Sequence, residues 1–121
     1  DRLREEAQAI DAAAWARGVL DDLARRSPLA LAVTFRHIRE AAALDLRLTL
    51  MRDYRLACRF LETPDFAEGA RAVLIDKSGS PRWHPAHLDD VTPEMVERFF
   101  ARDLVADLVL PTRKEMQAAR V

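Results

Sequence analysis

Apolar residues recur along the first hundred positions at spacings of three and four, the period of an amphipathic α-helix. The clearest case runs from about Leu46 to Glu62. Its apolar positions share one helical face: Leu50, Met51, Tyr54, Ala57, Cys58 and Leu61. Ala, Leu, Arg and Glu dominate the first half of the chain, and no run of β-branched residues competes with helix formation. We therefore expect an all-α fold, a compact bundle of about five or six helices.

Two further helices are predicted before this one. The first runs from Ala12 to Arg26 with Asp11 as its N-cap, and its apolar face is expected to be buried. That face consists of Trp15, Val19, Leu20 and Leu23. The second runs from Pro28 to about Ala42, because Ser27 can cap a helix whose first position is a proline. Its apolar stripe is formed by Leu31, Phe35, Ile38 and Ala42, whereas Arg36, Arg39 and Glu40 are expected to face water.

The segment after Thr63-Pro64 predicts a short helix from Phe66 to about Ile75. Asp65 and Glu68 have the spacing of a capping box, with a carboxylate in place of the usual hydroxyl. The expected inner face is formed by Phe66, Ala70, Val73 and Leu74. Gly69 inside the helix costs about 0.5–1 kcal/mol relative to Ala, which predicts a close approach of another group at this position.

From Lys77 to Val91 the helical pattern is interrupted, and we expect a loop anchored by Trp83, the only large aromatic side chain in the segment. Thr92-Pro93 then predicts a helix start, and Val96, Phe99 and Phe100 form the apolar face of that helix. Residues 101–121 contain an apolar segment from Leu104 to Leu110 and a basic tail, and remain unassigned.

Composition narrows the classes of function. Nineteen Lys+Arg against twenty Asp+Glu give a net charge of −1, so neither nucleic acid nor a membrane is expected as a partner. Cys58 is the single cysteine, which suits a reducing compartment such as the cytoplasm. No stretch is long and apolar enough for a membrane span. Because the chain starts at Asp1 and enters a helical pattern at once, we expect it to be a piece of a longer protein.

Candidate chemical groups are few, and each has a structural interpretation. Cys58 lies on an apolar stripe and is interpreted as a buried structural thiol rather than a nucleophile. His84 and His87 have an H-x-x-H spacing, but Pro85 lies between them and no third ligand follows, so no metal is expected. His37 is interpreted as a solvated or partner-facing side chain. Asp89-Asp90 are explained by the following helix start. We predict no catalytic residue and no cofactor.

Three motifs resemble the crotonase (enoyl-CoA hydratase/isomerase) superfamily, with similarity extending from about Trp15 to Phe100. The run from Ser27 to Thr34 resembles S-P-x-[AS]-L-x-x-[TA], and the run from Met51 to Leu56 resembles M-E-Y-R-L with Asp in place of Glu. The residues from Asp65 to Lys77, followed by Ser80-Pro81-Arg82-Trp83 and His84-Pro85-Ala86, are similar to D-F-x-E-G-x-R-A-x-L-I-D-K…S-P-x-W-x-P-A. The extension through Trp83 and on to Met95 favours the 3-hydroxyisobutyryl-CoA hydrolase branch of that superfamily.

The resemblance implies that residues 1–100 are the C-terminal helical domain of an acyl-CoA enzyme, which covers the acyl-CoA and forms interfaces. The family's oxyanion hole and acidic residues belong to a preceding core, so the acyl-CoA would reach this chain through that core and the chain alone would be inactive. A homo-oligomer is expected. Lys77 is the candidate ligand for the phosphate end of CoA; alternatively it is an exposed lysine after a helix C-terminus. Two alternatives stay open. The parent could instead be an enoyl-CoA hydratase or isomerase, or the chain could be a free-standing helical interaction module.

Overall fold

The computed structural model describes residues 2–102 and 108–119, with side chains from residue 9 onwards. Within these ranges the protein contains six α-helices and no strand, which confirms the all-α prediction. They are α1 (Arg2–Ala24), α2 (Pro28–Ala41), α3 (Leu46–Leu61), α4 (Pro64–Ala70), α5 (Pro93–Phe100) and α6 (Arg113–Ala118). A π-helical turn, Arg71–Ile75, continues α4, and a 3₁₀ turn, Leu88–Asp90, precedes α5.

Helix starts follow the capping residues in the sequence. The side chains of Ser27, Asp45, Thr63 and Thr92 accept hydrogen bonds from backbone N–H groups in the first turns of α2, α3, α4 and α5. The predicted cap Asp65 is wrong, because Thr63 caps α4 and Pro64 takes its first position. Asp11 is not a cap either, since α1 begins at Arg2 and Asp11 lies inside it.

The core lies between α2, α3 and α5. Its buried members are Val33, Leu56 and Phe99, and the rings of Phe60 and Phe99 pack with centroids 4.5 Å apart. Leu29, Phe60, Val96 and Phe100 surround this cluster. The predicted apolar face of α5 therefore does enter the core.

Helices α2 and α3 turn their predicted apolar stripes outward. Phe35 and Ile38 on α2 are 64% and 66% exposed, and Leu61 on α3 is 60% exposed. On α3 the buried residues are Arg55 and Leu56 instead, and only Met51 and Cys58 of the predicted stripe are even half-buried. The expectation that the stripes are covered is wrong within the described residues, because each stripe lies on the opposite side of its helix from the core residue Val33 or Leu56.

Helix α1 also exposes the face that we expected to be buried. Trp15 is 71% exposed and Leu20 is 64% exposed. This 23-residue helix makes no extensive contact with another described helix. It is joined to the rest of the chain by the hydrogen bond that the Trp83 indole Nε1 donates to the carbonyl oxygen of Arg25, at 2.9 Å. The prediction failed because the helical period shows which residues share a face but not whether another element covers it.

The π-helical turn explains why the second half of the predicted inner face of α4 is exposed. The Asp76 N–H donates to the Arg71 carbonyl, five residues earlier, which widens the turn and shifts the residues beyond Ala70 out of the expected register. Ala72 is buried, whereas Val73 and Leu74 are 65% and 72% exposed. Phe66, at the start of the same predicted face, is 53% exposed, but it precedes the π-helical turn and is not affected by it.

An ionic network fastens α2 to α3 and α5. Arg36 donates to Glu40 at 2.7 Å and to Glu97 at 2.6 Å, and Arg52 donates to Glu40 at 2.7 Å. The Arg36 guanidinium lies 4.1 Å from the centroid of Phe100. The hydrogen bond from Arg36 lowers the pKa of Glu40 below its ordinary value. The expectation that Arg36 and Glu40 simply face water is wrong, whereas Arg39 is exposed.

The C-terminal segment is attached through α3. The Arg47 guanidinium donates to the carbonyl oxygens of Leu110 and Pro111 at 2.7 and 2.8 Å. Helix α6 was not predicted, although Thr112 and Glu115 form a complete capping box at its start. Of the apolar segment singled out from the sequence, Leu104 and Val105 lie outside the described residues.

Candidate functional site

The motifs that carry the family resemblance meet at one place in the fold. Asp65, 7% exposed, accepts a hydrogen bond from the Ser27 hydroxyl at 2.5 Å and another from the His84 backbone N–H at 2.7 Å. Ser27 caps α2, Asp65 lies in the first turn of α4, and His84 precedes the cis bond to Pro85 in the loop. One buried carboxylate therefore links the S-P motif, the D-F-A-E-G motif and the W-H-P motif.

Glu68 makes a second attachment between α4 and the loop. Its carboxylate accepts two hydrogen bonds from Arg71, at 2.7 and 2.6 Å, and one from the Arg82 backbone N–H at 2.7 Å. These donors stabilise the charged form, so they lower the pKa of Glu68 to about 2, with the Arg71 hydrogen bonds contributing most. Arg71 also pairs with Asp76 at the end of the π-helical turn.

Trp83 packs against Gly69, as the position of that glycine predicted. A Cβ at Gly69 would lie 3.1 Å from Cη2 of the Trp83 ring. With its indole bonded to Arg25, Trp83 connects α4 to the end of α1. We refer to Ser27, Asp65, Glu68, Gly69 and Trp83 as the loop anchor. Its polar groups hold these three segments of the chain together.

Lys77, the predicted ligand for a CoA phosphate, lies directly after the π-helical turn. It is exposed and has a positive φ of 51°, which is uncommon for a residue other than glycine. It belongs to the loop that the anchor holds but takes no part in the anchor itself. Its role as a ligand remains a prediction.

Cys58 is half-buried rather than buried, so the expected burial of this thiol is only partly right. Its interaction with Tyr54, one turn earlier on α3, raises the pKa of that phenol.

His37 is not a solvated side chain, so one of the two interpretations from the sequence is wrong, and the other, a partner-facing side chain, stays a prediction. Its ring Nε2 lies 2.5 Å from an Asp53 carboxylate oxygen, and the side chain is 12% exposed. The ring Nδ1 is buried without a hydrogen-bond partner. The pair joins α2 to α3, and its inward-facing nitrogen is inaccessible to a substrate, so we interpret it as structural.

The remaining polar candidates do not assemble into a centre. His84 contributes its backbone to the anchor, and His87 lies before the 3₁₀ turn that contains Asp89 and Asp90. Across the described part of the chain, no three or more His, Cys, Asp or Glu side chains are grouped in a way that could hold a metal ion.

Sequence reasoning missed two concave surfaces. An apolar groove of about 750 Å³ lies between α1, α2 and the loop, and includes Leu20, Leu23, Phe35 and Leu88. A second groove, of about 710 Å³, is lined by Arg25 and Arg82 from distant parts of the sequence. The only signal for the first was the pair of apolar stripes on α1 and α2, and no local pattern links the two arginines of the second.

None of the described helices is long and apolar enough to cross a membrane.

Comparisons with known proteins agree with the resemblance. 3-Hydroxyisobutyryl-CoA hydrolase 1 of Arabidopsis thaliana is 36% identical over 119 residues, which cover 95% of this chain and 31% of that protein. The mitochondrial 3-hydroxyisobutyryl-CoA hydrolase of Danio rerio is 42% identical over 91 residues, covering 75% of this chain and 24% of the relative. The chain thus spans about a third or less of the length of these relatives.

A solved structure is similar as well. The carnitinyl-CoA dehydratase of Mycobacterium thermoresistibile aligns with a TM-score of 0.63 and 44% sequence identity, over 68% of this chain and 23% of that one. The family model described as enoyl-CoA hydratase/isomerase matches residues 1–100, which include α1 to α5 and the whole loop anchor. On this evidence the chain belongs to the enoyl-CoA hydratase/isomerase family.

Proposed function

We propose that the chain is the C-terminal helical domain of a longer acyl-CoA enzyme, with residues 1–100 as that domain and residues 101–121 as an appended segment. The observation that carries the proposal is the outward direction of the apolar stripes on α2 and α3. Phe35, Ile38 and Leu61 are each at least 60% exposed, and large apolar side chains exposed along a helix face commonly belong to an interaction site. A catalytic core of the same protein is the occupant that we propose for this surface.

The parent activity that we propose is hydrolysis of 3-hydroxyisobutyryl-CoA. The relatives from Arabidopsis thaliana and Danio rerio carry this name at 36% and 42% identity. Within the described residues, the polar groups of the loop anchor form hydrogen bonds that hold the fold together. We therefore propose that the groups that transfer protons belong to the core. The acyl-CoA would reach this domain through the core, and no cofactor is required by this chemistry.

The test is release of free CoA from 3-hydroxyisobutyryl-CoA, followed chromatographically so that the thiol of Cys58 does not interfere. We expect turnover by a family-length protein that contains this sequence and none by the 121-residue chain alone. Turnover that accompanies the purified chain and disappears on a point substitution within it would disprove the proposed division of labour.

A hydratase or dehydratase parent is the second candidate, favoured by one observation. The structure that aligns at 44% identity is named a carnitinyl-CoA dehydratase. Addition of water to crotonyl-CoA by the family-length protein, without hydrolysis of 3-hydroxyisobutyryl-CoA, would select this alternative.

Lys77 is proposed to contact the phosphate end of CoA. Its exposed position after the π-helical turn leaves the ammonium group accessible. We expect Lys77→Ala in the family-length enzyme to raise KM for the thioester with little change in kcat, the result of losing uniform binding. Lys114→Ala, on exposed α6, is the control. A KM equal to that of the wild type would remove Lys77 from the site.

We also propose that the chain self-associates when it is separated from a core, since Trp15 and Leu20 present uncovered apolar surface on α1. A reducing location such as the cytoplasm is proposed from the single unpaired Cys58. The Danio rerio relative is named as mitochondrial. Microscopy of the tagged native protein would distinguish these compartments.

A further inference from the structure

We propose that α1 is a hinged arm that closes onto α2, so that the two helices form an antiparallel hairpin across the apolar groove. In the structure both helices line that groove, with Leu20 and Leu23 on α1 and Leu31 and Phe35 on α2. The two helices make no extensive contact with each other along their lengths. The structure therefore shows the open form, with apolar side chains on both walls of one groove.

Helix α1 is attached at its C-terminal end. It ends at Ala24, and the Trp83 indole donates to the carbonyl oxygen of Arg25, the next residue. Among the described residues, no hydrogen bond or ion pair joins a side chain of α1 itself to another element. The connection to α2 consists of residues 25–27, and helices joined by such short connections commonly pack as antiparallel neighbours. The arm can therefore turn about this connection without breaking a side-chain bond along α1.

The apolar residues of the two helices are in register about the connection. On α1 they lie four, seven, eleven and fourteen residues before Ser27: Leu23, Leu20, Ala16 and Ala13. On α2 they lie four, eight, eleven and fifteen residues after it: Leu31, Phe35, Ile38 and, directly after the helix, Ala42. Separations that alternate between three and four are those of a packed helical seam. Because an antiparallel hairpin brings together residues equally far from its turn, each residue of the first series faces one of the second.

The sizes of the facing residues suit close packing. Ala16 faces Ile38, and a small residue opposite a large one allows two helix axes to approach to about 8–10 Å. Leu20 faces Phe35, and both are 64% exposed in the open form, so closing removes apolar surface from water. Since the open form is the one in the structure, the closed form is the less populated state of the isolated chain.

Closing of the arm would cover the outer face of α2, which includes Phe35 and Ile38. That face is the one for which we propose a catalytic core as the occupant, so α1 and the core would compete for it. This consequence rests on the proposed function, whereas the closing itself depends only on α1 and α2. A test in the 121-residue chain without an activity readout can therefore fail or succeed independently of the proposed hydrolase function.

Disulfide trapping detects the closed form even when it is a minor state. Two cysteines form a disulfide when their Cα atoms approach to about 4.4–6.8 Å, and the covalent bond then retains the closed form. The chain carries Cys58→Ala, so that only introduced cysteines react. One matched pair is Leu20→Cys with Phe35→Cys, and the second is Ala16→Cys with Ile38→Cys. Either pair alone suffices as the test if the other variant fails to fold.

Two controls separate a defined hairpin from random collisions. Asp21→Cys with Phe35→Cys moves one cysteine by a single residue to another face of α1, at an exposed position. Ala16→Cys with Leu31→Cys keeps both cysteines on the facing stripes but out of register. A closed hairpin would hold these two about seven residues, or ~10 Å, apart along the helices.

We expect an intramolecular disulfide in the matched pairs, at a rate that is independent of protein concentration and about tenfold or more above that of either control. Oxidation is carried out in a glutathione buffer at submicromolar protein, and intact mass spectrometry identifies the product. Circular dichroism of each reduced variant checks that the helices are kept. Equal rates in matched and control pairs would overturn the proposal. Disulfide-linked dimers in place of the intramolecular bond would also overturn it, because they would show a second copy in the groove.

Discussion

Gly69 and Gly18 both lie within helices, but only one of them is packed against another side chain. Gly69 faces the Trp83 ring, whereas nothing lies within 4 Å of a Cβ placed on Gly18. Only the first glycine therefore has a packing reason within the described residues. The sequence predicted the close approach at Gly69 because the cost of a helical glycine requires some compensation, but it could not identify Trp83 as the neighbour.

We expect Gly69→Ala to destabilise the fold by about 1 kcal/mol. The gain in helix propensity is of similar size to that at any helical glycine, but the new methyl would displace a ring fixed by its bond to Arg25, and overpacking typically costs ~1–3 kcal/mol. Gly18→Ala is the matched control and should stabilise by about 0.5–1 kcal/mol. Urea unfolding of the two variants measures both changes, and the same sign for both would contradict this account.

Glu68 should make stability depend on acid pH. Its pKa is about 2 in the folded chain, against 4.5 ordinarily, so the folded state binds this proton less readily than the unfolded state. The stabilising contribution is therefore complete above about pH 5 and is lost as the pH falls towards 2. We expect the difference in unfolding free energy between wild type and Glu68→Gln to shrink across this range. Glu62→Gln, at an exposed position, should show no such change.

The buried Asp65 carboxylate should be more sensitive to substitution than any surface acid. Asp65→Asn retains the size of the side chain but removes its negative charge, and its NH₂ group can donate to the Ser27 oxygen while its amide oxygen accepts from the His84 N–H. Hydrogen bonds to charged groups contribute ~1.5–3 kcal/mol against ~0.5–1.5 kcal/mol for neutral pairs, so we expect a loss of ~1–3 kcal/mol. Asp21→Asn on exposed α1 should change stability by less than ~0.5 kcal/mol. Equal melting temperatures for the two variants would refute a buried anchoring role.

At the scale of the elements, the ends of the helices were easier to predict than their buried faces. Ser27 and Thr92, each followed by a proline, gave the correct starts of α2 and α5 because capping is a local interaction. The predicted burial of Val73 and Leu74 was wrong because the π-helical turn changes the period after Ala70. No residue in that segment is specific to a π-helical turn, so the i, i+3, i+4 pattern predicted the wrong buried face.

Two phenylalanines allow the effect of substitution on stability to be compared between the inner and the outer side of the α2–α3–α5 assembly. Phe99 is 6% exposed in the core, so Phe99→Ala should cost ~3–5 kcal/mol through lost burial and a residual cavity. Phe35 is 64% exposed on α2, and Phe35→Ala should cost less than about 0.5 kcal/mol in the monomer. A comparable loss for Phe35 at the lowest measurable concentrations would mean that the outer face is covered within a single chain.

At the scale of the whole molecule, the protein has more apolar helix faces than its described core buries, since the stripes on α1, α2 and α3 are exposed. The sequence pattern correctly grouped the residues of each stripe, but covering them requires an additional surface. The loop anchor was similarly beyond local reasoning, since Ser27, Asp65 and His84 meet only when α2, α4 and the loop are folded together. The family resemblance located these motifs without giving the bonds between them.

The uncovered face of α1 leads to a prediction about assembly. Trp15 and Leu20 are 71% and 64% exposed, and large exposed apolar patches are uncommon in monomeric soluble proteins. An interface of ~800 Å² on each partner would be of standard size. We therefore expect the 121-residue chain to form a dimer or a higher oligomer at micromolar concentration, with its apolar contacts centred on α1.

Sedimentation equilibrium of the wild type and of Trp15→Asp with Leu20→Asp tests this assembly. The double variant should sediment as a 13.7 kDa monomer and keep its helical circular dichroism, because an aspartate on the exposed face opposes association without entering the core. Ile75→Asp is the control, since Ile75 is 75% exposed on a different element and should leave the oligomer intact. A wild-type chain that is itself a 13.7 kDa monomer with cooperative unfolding would show that α1 remains uncovered without self-association. Dissociation by Ile75→Asp as well would instead move the contact away from α1 and towards the π-helical turn.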